Sequence, residues 1–452
     1  MTPRRPLRST DSPPSAKLRI GSFAILGALA LGIFGAGAFD APFVDEYAYM
    51  SQSYYADLFL SGERNDRAWL EFPAYDLVPL PKYLIGLALG AVGEPRPGPE
   101  AARSWYRDTS SRFGPPRALT VSRVPSILLG AMGCVALAVI GTMAFDLRVG
   151  LAAGALLMLN PLYSLHAHRA MSEAPCETFL MVALAFALAA WRRAVSRRPD
   201  WLMFALLAMA GLATALAVLS KFNGLLALMT MAVWVVLGWG LPGLPRPSWV
   251  RFGLGSVIAV GLAWVGFLAL NPFMTARPAP PLNADAQRIA GLGAWERFRL
   301  LVDHRRTMSA GQQEAFPHNA LTRLGDRVRV VAAQGFGRFG PFGPRKSDST
   351  RRYDLAQDWG AFLWLPLCLG GLGYALVVGL LQLQREAAPS AWAAAAWALV
   401  SLAVVTLYLP MAWDRYLLPI QAPFALLAAS ALLGVWDALR LLAAPRKKMG
   451  TW

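Results

Sequence analysis

Ten apolar stretches dominate the chain, at 19–39, 121–143, 149–165, 172–190, 201–219, 222–240, 252–271, 359–382, 391–410 and 416–439. Each is long enough to cross a hydrocarbon core about 30 Å thick as a helix. In such a core every backbone N–H and C=O must be satisfied within the segment, which leaves helices as the only form these runs can take. Of the 452 residues, 56% are hydrophobic and 15% charged, against about a quarter charged in a soluble domain. The fold class that follows is an all-α integral membrane protein, a bundle of about ten transmembrane helices spanning 19–440.

Charge sets the orientation. The net charge of +16 would suit nucleic acid in a soluble chain, but here it is distributed by side. With the N-terminus inside, the short inner segments carry Arg148, Arg192, Arg193, Arg197, Arg198, Arg246, Arg251 and Arg385, and the end of the chain adds Arg440, Arg446, Lys447 and Lys448. The short outer turns carry one cation each, Arg169, Lys221 and Arg415. That asymmetry is the positive-inside pattern. Residues 1–18, basic and rich in Pro and Ser, read as a disordered cytoplasmic tail, and 441–452 as a second. The first apolar run is too long for a signal-peptide core and is not followed by a small-residue cleavage site, so it reads as a retained span. Localisation in a bacterial inner membrane is expected, with many Arg and Ala as the compositional hint.

Two outer segments are long, 40–120 and 272–358, and long loops are exempt from the charge rule. The second carries 14 Arg and Lys against 8 Asp and Glu and has length for short interfacial helices forming a cap. GEPRPGPE, 93–100, is a linker inside the first. Cys134, Cys176 and Cys368 all fall in apolar runs, which argues against a disulfide framework. With four histidines and no Cys/His cluster a zinc site is not expected. A transporter keeps ionisable groups near the midplane; here they gather at the outer ends of the spans.

Four outer segments bring those groups together. FVDEYAYM, 43–50, places Asp45 and Glu46 at the start of a helix expected over 45–60. Acids in a first turn are favoured by the helix dipole, and that alone would account for them. Neighbours on a helix diverge by about 100°, so one carboxylate can face a cavity while the other pairs or orients. YDLVPLPKYLIGLALG, 75–90, puts Lys82 at the head of an apolar helix, either snorkelling or held for a lipid phosphate. LNPLYSLHAHRAMSEAPCETFLM, 159–181, presents Arg169 and Glu173, spaced to pair across one helical turn. LPMAWDRYLLPIQAP, 409–423, places Asp414, Arg415 and Tyr416 at the interface. Acids and cations at one depth suit sugar transfer from a lipid phosphate to a hydroxyl. That reaction asks for a base on the hydroxyl and fixed cations on the departing phosphate.

These residues resemble the GT-C glycosyltransferases of the protein O-mannosyltransferase and lipid A aminoarabinose transferase branch. FVDEYAY is similar to the acidic motif of their first outer loop, VPLPKYLIG to their Pro-Pro-Leu segment, and Arg415 to Pro419 to their Arg-Tyr-Leu-Leu-Pro motif. The long loop after the seventh span also matches in position. The resemblance implies a GT-C bundle with Asp45 as catalytic base and Glu46 as an orienting or acceptor-binding acid. It implies Lys82, Arg169, Arg415 and Tyr416 at the donor phosphate, supported by Glu173 and Asp414. The chain departs from the mannosyltransferases in lacking their His before Pro-Pro-Leu, Leu77 or Val78 standing there, and in a shorter loop after the seventh span. The expected partners are a polyprenyl-phosphate-linked sugar, a lipid, glycan or protein acceptor, and membrane lipids, with no nucleic acid. No cofactor is called for; a divalent metal is compatible with the residues but not indicated. Two alternatives share the outer cations: a glycan polymerase or ligase using a polyprenyl-diphosphate donor, and a flippase or transporter of a lipid-linked substrate.

Overall fold

The computed structural model describes residues 15–194, 201–240, 246–317, 319–338 and 359–443. The last part of the second loop, the inner arginines at 197 and 198, and most of both tails lie outside them. Ala16 already belongs to the first helix, so 16–18 extend that helix rather than the tail.

Helix α1 (Ala16–Ala36) leads into the first loop, which folds as α2 (Val44–Ser51), α3 (Tyr55–Leu60), α4 (Phe72–Asp76), α5 (Pro79–Ala91) and α6 (Pro99–Arg107). The helix expected over 45–60 is thus two, separated by a turn at Gln52–Tyr54. Then come α7 (Pro116–Ala144), α8 (Leu147–Leu159), α9 (Pro161–Ala167), α10 (Glu173–Arg193), α11 (Trp201–Ser220), α12 (Leu226–Gly240) and α13 (Arg246–Leu270). The second loop carries α14 (Ala284–Gly291), α15 (Ala294–Ala315) and α16 (Leu324–Val330), and α17 (Trp359–Gln384), α18 (Ser390–Tyr408) and α19 (Leu418–Ala443) complete the chain.

Among the described residues nine helices are long and apolar enough to cross a membrane, and α8 with α9 makes a tenth if the pair is one span. That pair is bent by 71°, where the sequence reads an unbroken span over 149–165. The cause is Asn160–Pro161. A residue before proline is pushed to extended backbone, and Asn160 has ψ 120° and ends α8. Its side chain then caps α9, accepting from Tyr163 N at 2.9 Å, while its Nδ2 donates to Gln421 Oε1 of α19 at 2.8 Å.

Small residues let the spans approach. The buried face of α10 carries Ala174, Ala183, Ala187 and Ala190, and α10 packs on α7 and α11. Hydrogen bonds cross these contacts: Thr178 Oγ1 donates to Leu129 O at 2.6 Å and Tyr163 OH to Gly130 O at 3.0 Å. Within lipid, close packing of small residues and such bonds replace the hydrophobic effect as the force between helices.

Polar bonds hold each long loop together and tie it to the bundle. Tyr55 OH donates to Ala68 O at 2.8 Å, and Tyr83 OH to Leu270 O at the end of α13 at 3.2 Å. Arg297 of α15 is fully buried, and its guanidinium donates to Phe273 O at 2.6 Å and Ala276 O at 2.9 Å. Leu321 N donates to Pro410 O and Ala412 N to Asn319 O, at 2.9 and 2.8 Å. The strap from 319 to 321 therefore fixes the approach to α19, and with it Arg415.

Candidate active site

A cavity of about 270 Å³ lies where the first loop, α15 and the loop ends of α10, α11 and α19 meet. Asp45 comes from the first turn of α2, Asp76 from the end of α4, Glu173 from the start of α10, Lys221 from the turn after α11, Arg305 from α15, and Arg415 and Tyr416 from the turn before α19. Each carboxylate faces a cation. Arg415 Nη1 donates to Asp45 Oδ2 at 2.5 Å, Lys221 Nζ to Glu173 Oε1 at 2.9 Å, and Arg305 Nη1 stands 3.7 Å from Asp76 Oδ1. Burial opposes the charge on Lys221, and the Glu173 carboxylate more than offsets it, so the ammonium is held above its usual range. Arg415 is steadied by the rings of Trp413 and Tyr416, 5.0 and 5.8 Å from its Cζ.

The two adjacent acids take different paths, as the divergence of helix neighbours requires. Asp45 faces the cavity. Glu46 turns inward, is wholly buried, and has all of its acceptor capacity in use. Oε1 accepts from Arg123 Nε at 2.7 Å and Ala170 N at 2.9 Å; Oε2 accepts from Arg123 Nη2 at 2.6 Å and Phe43 N at 2.8 Å. Arg123 also donates to Ala38 O and Asp40 O at 2.9 and 2.7 Å. The pair joins the exit of α1, the start of α2 and the turn before α10, so Glu46 is a strut that aims Asp45.

The other expected residues divide the same way. Lys82 does not line the cavity: it is 1% exposed, donates to Pro73 O at 2.6 Å, and lies over the Tyr55 ring. Burial drives its ammonium well below the ordinary range, the nearby Asp76 charge opposing. It braces α4 from beneath. Arg169 stacks on Phe43, 4.3 Å to the ring centroid, away from the cavity wall. Its spacing to Glu173 suggests a helical pair, but α10 begins at Glu173, and Glu173 takes Lys221 instead. Asp414 accepts from Arg415 N at 2.7 Å and stands 3.9 Å from His166 Nε2, buttressing the turn that carries Arg415. Tyr416 lines the cavity and its hydroxyl is 3.4 Å from Gln312 Oε1.

Asp76, Lys221, Arg305 and Arg123 were not among the expected site residues. Lys221 was visible only as the single cation of an outer turn. Arg123 lies inside an apolar run, where an ionisable side chain is itself a signal. Asp76 and Arg305 sit in loops whose meeting no local pattern records. Among the described residues no three His, Cys, Asp or Glu side chains group as a metal site.

Beside this cavity runs an apolar groove of about 350 Å³, lined by Leu225, Leu226, Met229, Val302, Val404, Val405, Leu409 and Pro419. Phe222, Asn223, Arg305, Tyr408 and Tyr416 border both spaces. The groove lies between α15, which contributes Val302, Arg305 and Arg306, and the loop ends of α12, α18 and α19, and it meets the polar cavity at Arg305.

The described residues thus form a polytopic helical bundle with a charged cavity at its loop end and an apolar groove that meets it. Comparison with solved structures shows the fold to be of the GT-C type. The archaeal oligosaccharyltransferase AglB from Archaeoglobus fulgidus, in complex with an inhibitory peptide and a dolichol-phosphate, superposes with a TM-score of 0.55 at 14% identity over 96% of this chain. ArnT from Cupriavidus metallidurans bound to undecaprenyl phosphate gives 0.51 at 15% identity over 95% of this chain. This chain spans 52% of the AglB chain and 65% of the ArnT chain. Residues 79–274 match the family model of dolichyl-phosphate-mannose-protein mannosyltransferases. A search of curated protein sequences found no match.

Proposed function

We propose that this protein transfers a sugar from a polyprenyl-phosphate donor to an acceptor hydroxyl, with inversion, on the face of the membrane that carries the two long loops. The observation that carries the reading is the junction of the two spaces. An apolar groove at the loop ends of the spans runs into a cavity that carries Arg305, Lys221 and Arg415, with Asp45 beside Arg415. A polyprenyl chain fits the groove, its phosphate the cations at the mouth, and its sugar the cavity. The match to a mannosyltransferase family model and the fold shared with AglB in complex with dolichol-phosphate and with ArnT bound to undecaprenyl phosphate support the donor class.

In this scheme Asp45 accepts the proton of the acceptor hydroxyl, whose oxygen attacks the anomeric carbon as the bond from that carbon to the phosphate oxygen breaks. The leaving polyprenyl phosphate keeps its electron pair and needs no protonation, so fixed cations suffice. Such preorganised charge, acting where water is excluded, is the main source of rate in transfers of this kind. Arg415 touches Asp45 in the free protein and holds its carboxylate at the cavity wall, where the acceptor hydroxyl would arrive. The protein in liposomes, given undecaprenyl phosphate carrying a radiolabelled hexose and an acceptor extract, is expected to label a product, and Asp45→Asn to lose that activity by at least about a hundredfold. Near-normal turnover in Asp45→Asn would remove Asp45 from the mechanism. Sugar-lipid movement across the vesicle without transfer would replace the enzyme by a transporter.

A further inference from the structure

We propose that the wall of the cavity built by the first long loop is a sugar subsite, where Asp76 and Trp105 bind the ring hydroxyls of one neutral hexose and Tyr106 positions Asp76. The proposal rests on the transferase reading above and adds the part of the donor that the groove and cations do not address.

The first loop contributes Asp45, Ala48, Tyr49, Asp76, Leu77, Val78 and Trp105 to the cavity, and none of them borders the apolar groove. Once a lipid and its phosphate occupy the groove and its mouth, the sugar is left to this wall and to the side that carries Ser172, Ser220, Ser309 and Gln312, which also line the cavity without bordering the groove; of the two, the first-loop wall holds the fixed carboxylate. Asp76 is 6% exposed and is held at the end of a hydrogen-bond chain. Gln52 Nε2 donates to Tyr106 OH at 3.0 Å, and Tyr106 OH donates to Asp76 Oδ2. His304 Nε2 and Arg305 Nη1 stand 3.5 and 3.7 Å from Asp76 Oδ1. Burial alone would raise the Asp76 carboxyl; His304, Arg305 and Tyr106 outweigh it and hold it below the usual range. Asp76 is therefore an ionised acceptor fixed in place, as a ring hydroxyl requires.

Trp105 supplies the complement. It lines the cavity, and its indole Nε1 is buried without a hydrogen-bond partner among the described residues. A buried donor left unmatched is costly, and a sugar hydroxyl oxygen would satisfy it. The adjoining Leu77 and Val78 offer an apolar face to the C–H side of a pyranose. In the free protein Asp76 is flanked by both Arg305 and His304, so the wall carries no unpaired carboxylate for a cationic sugar and offers its acceptor to a hydroxyl. At about 270 Å³ the cavity falls just under the 300–1,000 Å³ typical of sites for larger ligands, which favours a single ring over an oligosaccharide.

The test compares lipids with and without the sugar. Binding of undecaprenyl phosphate, of its mannosyl and glucosyl derivatives, and of a 4-amino-pentosyl derivative is measured on the full chain in nanodiscs for wild type, Asp76→Asn, Trp105→Phe and Tyr106→Phe. Trp105→Phe and Tyr106→Phe are each expected to weaken the tighter of the two hexosyl lipids about tenfold while leaving bare undecaprenyl phosphate within about twofold, which also certifies their fold; Asp76→Asn, which frees Arg305, is expected to lower the ratio of hexosyl-lipid to bare-lipid affinity by the same factor. Equal loss for bare and hexosyl lipids, or no loss for either, overturns the subsite while the transferase reading stands. Tighter binding of the amino sugar than of either hexose overturns the neutral-hexose assignment. A wild type that binds none of the four lipids overturns the transferase reading and the subsite with it.

Discussion

Glu46→Gln separates the two neighbouring carboxylates most sharply. The substitution keeps shape and removes one charge from a pair whose side chains are 0% and 1% exposed. The amide can replace only one of the two oxygens as an acceptor. Its NH2 must then face either Arg123 Nε with Ala170 N or Arg123 Nη2 with Phe43 N, donor against donor in both cases. Breaking a buried ion pair on one side costs about 3–5 kcal/mol, because the other charge is left uncompensated. In a chain of this size that corresponds to a fall in the unfolding midpoint on the order of 5 °C. Asp45→Asn is the control. Asp45 and Arg415 are 28% and 21% exposed and open on the cavity, which is filled by solvent before the donor binds, so losing this pair should cost nearer the roughly 1 kcal/mol of an exposed pair than the cost of the wholly buried one, and its midpoint should stay closer to wild type while turnover is lost. The assay is thermal unfolding of both variants in the same detergent, alongside transfer measured well below either midpoint. A Glu46→Gln protein with wild-type stability and no turnover would refute the strut and return Glu46 to the chemistry.

Other substitutions probe the remaining parts of the arrangement. Lys82→Met should lower stability through loss of its bond to Pro73 O yet leave affinity for bare undecaprenyl phosphate within about twofold, whereas Arg305→Met should weaken that affinity about tenfold or more as a buried charge-assisted contact is lost; both are read by lipid binding in nanodiscs. Met229→Trp, which narrows the apolar groove, should raise KM for a full-length polyprenyl donor and not for a short-chain analogue of the same sugar phosphate. His168 gives a pH dependence. Burial depresses its imidazole from 6.5 to about 4, with Asp40 opposing, so between those values the unfolded chain binds the proton and the folded one does not. Stability is full above about pH 6.5 and falls by about 3 kcal/mol as pH drops through this window to about 4; His168→Asn should flatten that part of a melting-point profile.

The apolar runs and the cations between them were enough to read a polytopic bundle, because the bilayer admits few alternatives to a helix and length alone marks a span. Helix ends were legible within a few residues at Glu173 and Tyr408, whereas α7 and α13 begin well ahead of their apolar runs, at Pro116 and Arg246. The bend at Asn160–Pro161 was not legible, since hydropathy is blind to it although proline chemistry is not. At the site, the sequence marked Asp45, Glu46, Glu173, Arg415 and Tyr416 by their place at span ends, and the helix geometry of neighbours anticipated that the acidic pair would split. Which acid faced the cavity was decided by Arg123, 77 residues away in sequence, and by the turn that offers Ala170 N. The same holds for Lys82, whose cation looked placed for a phosphate and is instead consumed by the carbonyl of Pro73, and for Arg169, which spends its charge on an aromatic face. Asp76 and Arg305 became a pair only when α15 laid the second loop across the first. Local sequence fixes what a segment can bury and where it can turn; which charge meets which is a property of distant segments brought together, and only the tertiary structure assigned it.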